Sequence, residues 1–228
     1  MSARRADILE IVSRYAAGYF PLYDEDGRFY WERLPLRAVI AVNDETLARA
    51  RRLARRGRKR FEIRRTTAVD DIIEQLKSEK IKSNSWVRDE VVAIYRALQK
   101  AGMLRTVEAW DTAAGTLAGA LLGLSLPGTF IAETMYGIVP EASKVCLCQL
   151  VEDCCAGGVE MIDVQTPHDL NAFDLLAGDA RAENTTAHPC VRLGEQYLPI
   201  SHFQKQFAAA WRRAFDGGIA EWIEKSRS

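Results

Sequence analysis

The chain has no excess of either charge. Its 228 residues carry 31 Lys+Arg and 31 Asp+Glu, so net charge neither suggests nor excludes a partner. The N-terminal stretch MSARRADILEIVSRYAAGYF lacks an apolar run long enough for a signal peptide or a membrane span, and it places Asp7 and Glu10 early. A cytoplasmic location without membrane contact is therefore the expectation. Histidine is scarce, and His168, His188 and His202 lack any ligand spacing. Cysteines are odd in number, five, and four of them (Cys146, Cys148, Cys154 and Cys155) fall in one helical stretch. That is a poor basis for a disulfide framework. Cys146 and Cys148 would point to different sides of a helix and Cys154 and Cys155 are adjacent, so core positions are expected, with no metal and no cofactor. The sequence has no internal repeat and no low-complexity tract.

What is present is an ordinary globular composition, 48% hydrophobic and 27% charged, long enough for one large domain or two small ones. Residues 4–16 read as a helix, Asp26-Gly27 as a hairpin signal and Val39–Val42 as a strand. A helix is expected over about 44–56, with Asp44 as its cap and Gly57 as its end. FEIRRT reads as a strand; TAVDDIIEQLK and 88–101 carry apolar residues at helical spacing. RTVEAWD, TLAGALLGLSL and GTFIAETMY, divided by Gly115 and Pro127-Gly128, predict an antiparallel meander. A helix over 141–156 and a strand over 159–165 beside the meander follow. Residues 169–187 read as a loop. In 201–215, Phe203, Phe207, Trp211 and Phe215 form one core-facing stripe. The fold class is α+β, with a small N-terminal domain over 1–65 and a sheet-and-helix domain over 66–228.

Two constellations carry chemistry. RARRLARRGRKR, residues 49–60, holds eight basic residues in twelve positions. Like charges at i, i+4 repel, so either this face is simply solvated or it meets a polyanion. Without interleaved aromatics, phosphate contacts from Arg51, Arg52, Arg55, Arg56 and Lys59 are the expectation. The second constellation is acidic. Glu133 ends an apolar strand, and Asp163 and Gln165 share one face of MIDVQ, opposite Ile162. They would be either an exposed strand face or a group that orients an amine and accepts its proton.

GYFP (18–21), YWERLPLRAVI (30–40), SWVRDEVVAIYRALQKAGMLRTVEAW (85–110), FIAETMYGIVPEASK (130–144), MIDVQ (161–165) and the run from His188 to Phe203 follow one another in order. Together they resemble the bacterial leucyl/phenylalanyl-tRNA–protein transferases over residues 15–207. That resemblance implies an acetyltransferase-like larger domain. It also implies an enzyme that moves Leu or Phe from aminoacyl-tRNA to a protein's N-terminal α-amine, typically of Lys or Arg, marking the protein for degradation. The basic run would hold the tRNA acceptor stem. Glu133 would lie near the terminal adenosine and aminoacyl group, with Trp31 and Trp86 flanking the adenosine. Leu121, Met135, Leu147, Leu150, Cys154 and Ile162 would form the side-chain pocket, and Asp163 and Gln165 the catalytic pair. Asp163 would bind the incoming amine. The chain would act as a monomer on leucyl- or phenylalanyl-tRNA and a protein N-terminus. A different acceptor, or tRNA binding without catalysis, is the alternative. Departures from the family pattern are Leu22 for an aromatic, Gly119-Ala120 for Gly-Gly, Thr134 for serine, and an insertion of about 20 residues between Gln165 and His188.

Overall fold

The computed structural model describes residues 7–24, 26–65, 68–77, 87–167 and 188–226. Trp86, His168 and the expected loop at 169–187 lie outside them.

Asp7 starts the first helix, α1 (Ile8–Ala16), by accepting a 2.9 Å hydrogen bond from the Leu9 amide. A two-stranded hairpin follows, β1 (Phe20–Tyr23) and β2 (Phe29–Glu32), then β3 (Leu36–Ala41). The basic run forms α2 (Asp44–Ala54) and a 3₁₀ turn (Gly57–Lys59). Its cap is Asn43, which accepts from the Thr46 amide at 2.9 Å, rather than the expected Asp44, which is the first helical residue. Strand β4 (Phe61–Arg64), α3 (Val69–Lys77) and α4 (Asp89–Lys100) lead into the meander.

The meander is antiparallel as expected: β5 (Leu104–Asp111), β6 (Thr116–Leu126) and β7 (Thr129–Gly137). From β7 the chain crosses through α5 (Ala142–Ala156) to β8 (Met161–Gln165), which pairs with β7 in parallel. A parallel neighbour requires such a crossover. Then come α6 (Pro189–Leu193), β9 (Gln196–Pro199), α7 (Ile200–Ala214) and α8 (Ile219–Lys225).

Among the described residues the large sheet has seven strands in the order β4-β5-β6-β7-β8-β3-β9. Period-two alternation divides its side chains between two cores. Leu122, Leu124 and Ile131 face the cluster that α1, α3, α4 and α7 complete; Leu121, Phe130 and Ile162 face α2, α5 and α6. Eight of the fifteen residues of α5 are buried, among them three of its four cysteines, Cys146, Cys148 and Cys154, while Cys155 is half-buried; all of them, and Cys190 on α6, are free. The Phe203–Phe207–Trp211 stripe is buried too, with centroids 6.1 and 6.0 Å apart.

The expected division near residue 65 meets a sheet that draws on both sides of it. Strand β3 lies between β8 and β9, and β4 pairs with β5, so both are strands of the large sheet. Strand pairing across that boundary joins the two stretches.

Candidate active site and basic cleft

The site forms where the parallel pair comes apart. Pairing between β7 and β8 covers only Thr129↔Met161, Phe130↔Ile162 and Ile131↔Asp163. Each strand carries a bulge just beyond that point. Against β6, Leu122 faces Thr134 and Gly123 faces Ala132, which leaves Glu133 as the extra residue. Against β3, Ala38 faces Gln165 and Val39 faces Asp163, which leaves Val164 extra, and Gln165 takes the left-handed conformation at φ 67°. A bulge bends its strand and re-aims a side chain. The two bulges part the strands and bring Glu133 and Gln165 together: the Gln165 amide nitrogen donates to Glu133 Oε1.

Below them lies a buried ion pair. Arg37 on β3 and Asp163 are both fully buried. Arg37 Nε donates to Asp163 Oδ1 at 2.9 Å and Oδ2 at 3.0 Å, Nη2 donates to Oδ2 at 2.9 Å, and the Gln165 backbone N–H adds a bond to Oδ1 at 2.8 Å. Phe20 and Phe203 stack on the guanidinium at 4.9 and 5.4 Å. Burial raises the Asp163 pKa and the guanidinium opposes it. Four donor contacts on one carboxyl group mark it as the ionised partner of Arg37. Asp163 therefore has no face open to an incoming amine.

Glu133 differs. Burial lifts its pKa from 4.5 to about 7, against the opposing pull of Tyr15, Arg37 and Gln165. The hydroxyls of Tyr15 and Tyr95 are buried beside it, and its charge helps to raise theirs. Neither hydroxyl nor Glu133 Oε2 makes a hydrogen bond of ordinary geometry.

A cavity of about 370 Å³ opens between the parted strands, within the size range of small-ligand sites. Leu121, Met135 and Leu147 of the expected pocket line it, together with Glu133 and Gln165. Leu150, Cys154 and Ile162 lie behind that lining, buried in the same core cluster. Trp31 does not line the cavity. It packs edge-on against Tyr15, with centroids 5.4 Å apart. Leu22 and Thr134, both departures from the family pattern, are wall residues, as are Phe20, His188 and Cys190.

The basic run divides between two surfaces. Arg52, Arg55 and Arg56 line a cleft of about 790 Å³ with Arg49, Arg60, Lys144 and Arg192. Arg51 instead faces Glu152 on α5 at 3.6 Å, and Arg58 pairs with the same carboxylate at 2.7 Å. Lys59 is exposed on the turn, outside the cleft lining. Cleft and cavity share two elements: α5 contributes Lys144 to one and Leu147 to the other, and α6 contributes Arg192 and Cys190.

Several of these groups escaped sequence reasoning. Arg37 had a signal, a cation within the apolar run LPLRAVIAV, which asks for a buried partner. Tyr15, Tyr95, Lys144 and Arg192 gave no such signal. Among the described residues no group of three or more His, Cys, Asp or Glu side chains could hold a metal ion. No helix among them is long and apolar enough to cross a membrane.

Comparison with known proteins adds to this geometry. The model of the leucyl/phenylalanyl-tRNA protein transferase family matches residues 39–174. A leucyl/phenylalanyl-tRNA–protein transferase of Herpetosiphon aurantiacus is 37% identical over 161 residues, 69% of this chain and 81% of that one. One from a Synechococcus species is 33% identical over 193 residues, 83% of this chain and 97% of the other. A third, from Prosthecochloris aestuarii, is 35% identical over 167 residues, with coverages of 71% and 84%. A conserved Enterococcus faecalis protein described as a probable N-acyltransferase aligns in structure with a TM-score of 0.38 and 14% identity, over 67% of this chain and 34% of its own.

Proposed function

Since the chain belongs to the leucyl/phenylalanyl-tRNA protein transferase family, we propose that it transfers Leu or Phe from aminoacyl-tRNA to the α-amine of a protein, at the cavity between β7 and β8. The observation that carries the assignment is Glu133, whose pKa of about 7 makes it a proton acceptor at neutral pH, held by Gln165 at the wall of the cavity. The aminoacyl side chain enters among Leu121, Met135 and Leu147. Charged side chains are rejected there by the cost of desolvation.

The ester is already activated, so most of the acceleration comes from holding amine and carbonyl in contact. A neutral α-amine attacks the ester carbonyl and the C–N bond forms. Glu133 takes the proton that the nitrogen sheds. The C–O bond to the terminal ribose breaks, and that proton passes to the leaving hydroxyl. Gln165 fixes the carboxylate through Oε1. Asp163, closed off by Arg37, is a positioning residue: it fixes Gln165 through the backbone N–H instead of touching the amine. Arg52, Arg55 and Arg56, with Lys144 and Arg192, take the tRNA phosphates. Acceptors beginning with Lys or Arg, a monomeric enzyme and a cytoplasmic location belong to the same reading.

Purified protein with radiolabelled leucyl-tRNA and peptides differing only in residue one tests it. Label on Lys- or Arg-starting peptides is the expected result. Label on other peptides alone changes the acceptor. Tight tRNA binding without transfer to any peptide overturns the catalytic reading.

A further inference from the structure

The cavity is lined by four consecutive residues of β7, Ala132, Glu133, Thr134 and Met135, and by Val164 and Gln165 of β8 with Thr166 just beyond it. Successive side chains of a strand point to opposite faces, so a wall made of side chains from one face would use every second residue. Consecutive lining means that the strand edges themselves border the cavity. Strand β7 runs on to Gly137, yet its pairing with β8 ends at Ile131. The tip of β8 satisfies itself: the Gln165 N–H goes to Asp163 Oδ1 and the Thr166 N–H to the Val164 carbonyl at 2.9 Å. The β8-facing edge of β7 from Ala132 to Met135 has no strand partner among the described residues. An unpaired edge inside a cleft is a template for one more strand.

We infer that the acceptor polypeptide binds by strand addition, its first residues laid along Ala132–Met135 of β7 and its amine delivered to Glu133. The inference rests on the transferase reading above and adds to it the mode of acceptor recognition. An extended peptide offers the alternating donors and acceptors that such an edge needs, whatever its side chains. Glu133 is the residue bulged against β6 in that same stretch of β7 and it lines the cavity, so a peptide running along the β8-facing edge brings its N-terminus to the carboxylate without a dedicated amine pocket. Beyond the first residue, recognition is of main chain rather than sequence.

The test uses the full-length enzyme with leucyl-tRNA and one acceptor peptide in three forms: all-amide, a depsipeptide with an ester in place of the amide between residues one and two, and a control with the ester four bonds further on. Each keeps the α-amine and every side chain. The first ester removes one donor and weakens one acceptor, and kcat/KM should fall about three- to tenfold, carried mainly by KM. The distal ester should cost less than twofold. Equal kcat/KM for the all-amide and proximal-ester peptides overturns strand addition and leaves the transferase reading standing. Absence of transfer even to the all-amide peptide overturns the transferase reading itself.

Discussion

Glu133 and Asp163 show how two carboxylates in one site take different roles. Asp163 is matched by a guanidinium and a backbone N–H, while Glu133 has one amide donor and an oxygen, Oε2, left without one. Transfer needs Glu133 deprotonated, so kcat/KM should rise through about pH 7. In Glu133→Gln that limb should vanish, leaving only the titration of the acceptor amine, and the rate at pH 8 should fall at least a hundredfold. Stability runs the other way. A folded pKa raised above the unfolded one favours the native state at low pH, and that contribution is lost between about 4.5 and 7. The climb corresponds to roughly 3 kcal/mol. Glu133→Gln should therefore melt above the parent at pH 8 and close to it at pH 4.5, read by calorimetry at the two values. For Arg37→Ala the sign is opposite. It strands a buried carboxylate and should cost about 3–5 kcal/mol in urea unfolding. Glu133 could be picked out in the sequence as an acid in an apolar strand, although β7 does not end there as expected but runs on to Gly137. Its titration could not, because it depends on burial and on Tyr15, Arg37 and Gln165, which the fold alone brings near.

Helix α2 is legible as a basic helix, yet it has two faces that composition does not separate. Thr46, Ala50 and Ala54 are its buried stripe, and the arginines fan out on either side. Arg52, Arg55 and Arg56 turn to the cleft with Lys144 and Arg192, while Arg51 turns to Glu152. Arg55→Ala should lower the slope of log K against log salt for tRNA binding by about 0.7–0.9, one phosphate contact, whereas Arg51→Ala should leave it unchanged. Filter binding at several salt concentrations distinguishes them, and equal losses would refute the division. Gly57 sets the approach of this element to α5, since a Cβ there would run into the Val145 side chain. Period 3.6 located α2, but which arginines meet the cleft depends on helix rotation, fixed by small residues packing against α5.

At the scale of the whole molecule, the sheet takes strands from both ends of the sequence. Arg37 and Asp163 are 126 residues apart, and β3 carries the arginine into place between β8 and β9. A fragment of residues 66–228 would leave β8 without β3 and Asp163 without its cation. It should show no cooperative thermal transition by circular dichroism, where the full chain shows one; a sharp melt would make residues 66–228 an independent unit. The sequence by itself determined the local elements: the meander, cut by Gly115 and Pro127-Gly128; the apolar α5; the aromatic stripe on α7; the basic run; and, through ordered motifs, the family. These follow from turn chemistry and side-chain period, which act over a few residues. Only the tertiary structure decided the two bulges, the parting of β7 from β8, the closure of Asp163 by Arg37 and the sharing of the basic run between two surfaces. Each depends on pairing register or burial between segments far apart in the chain, and neither is written in any one of them.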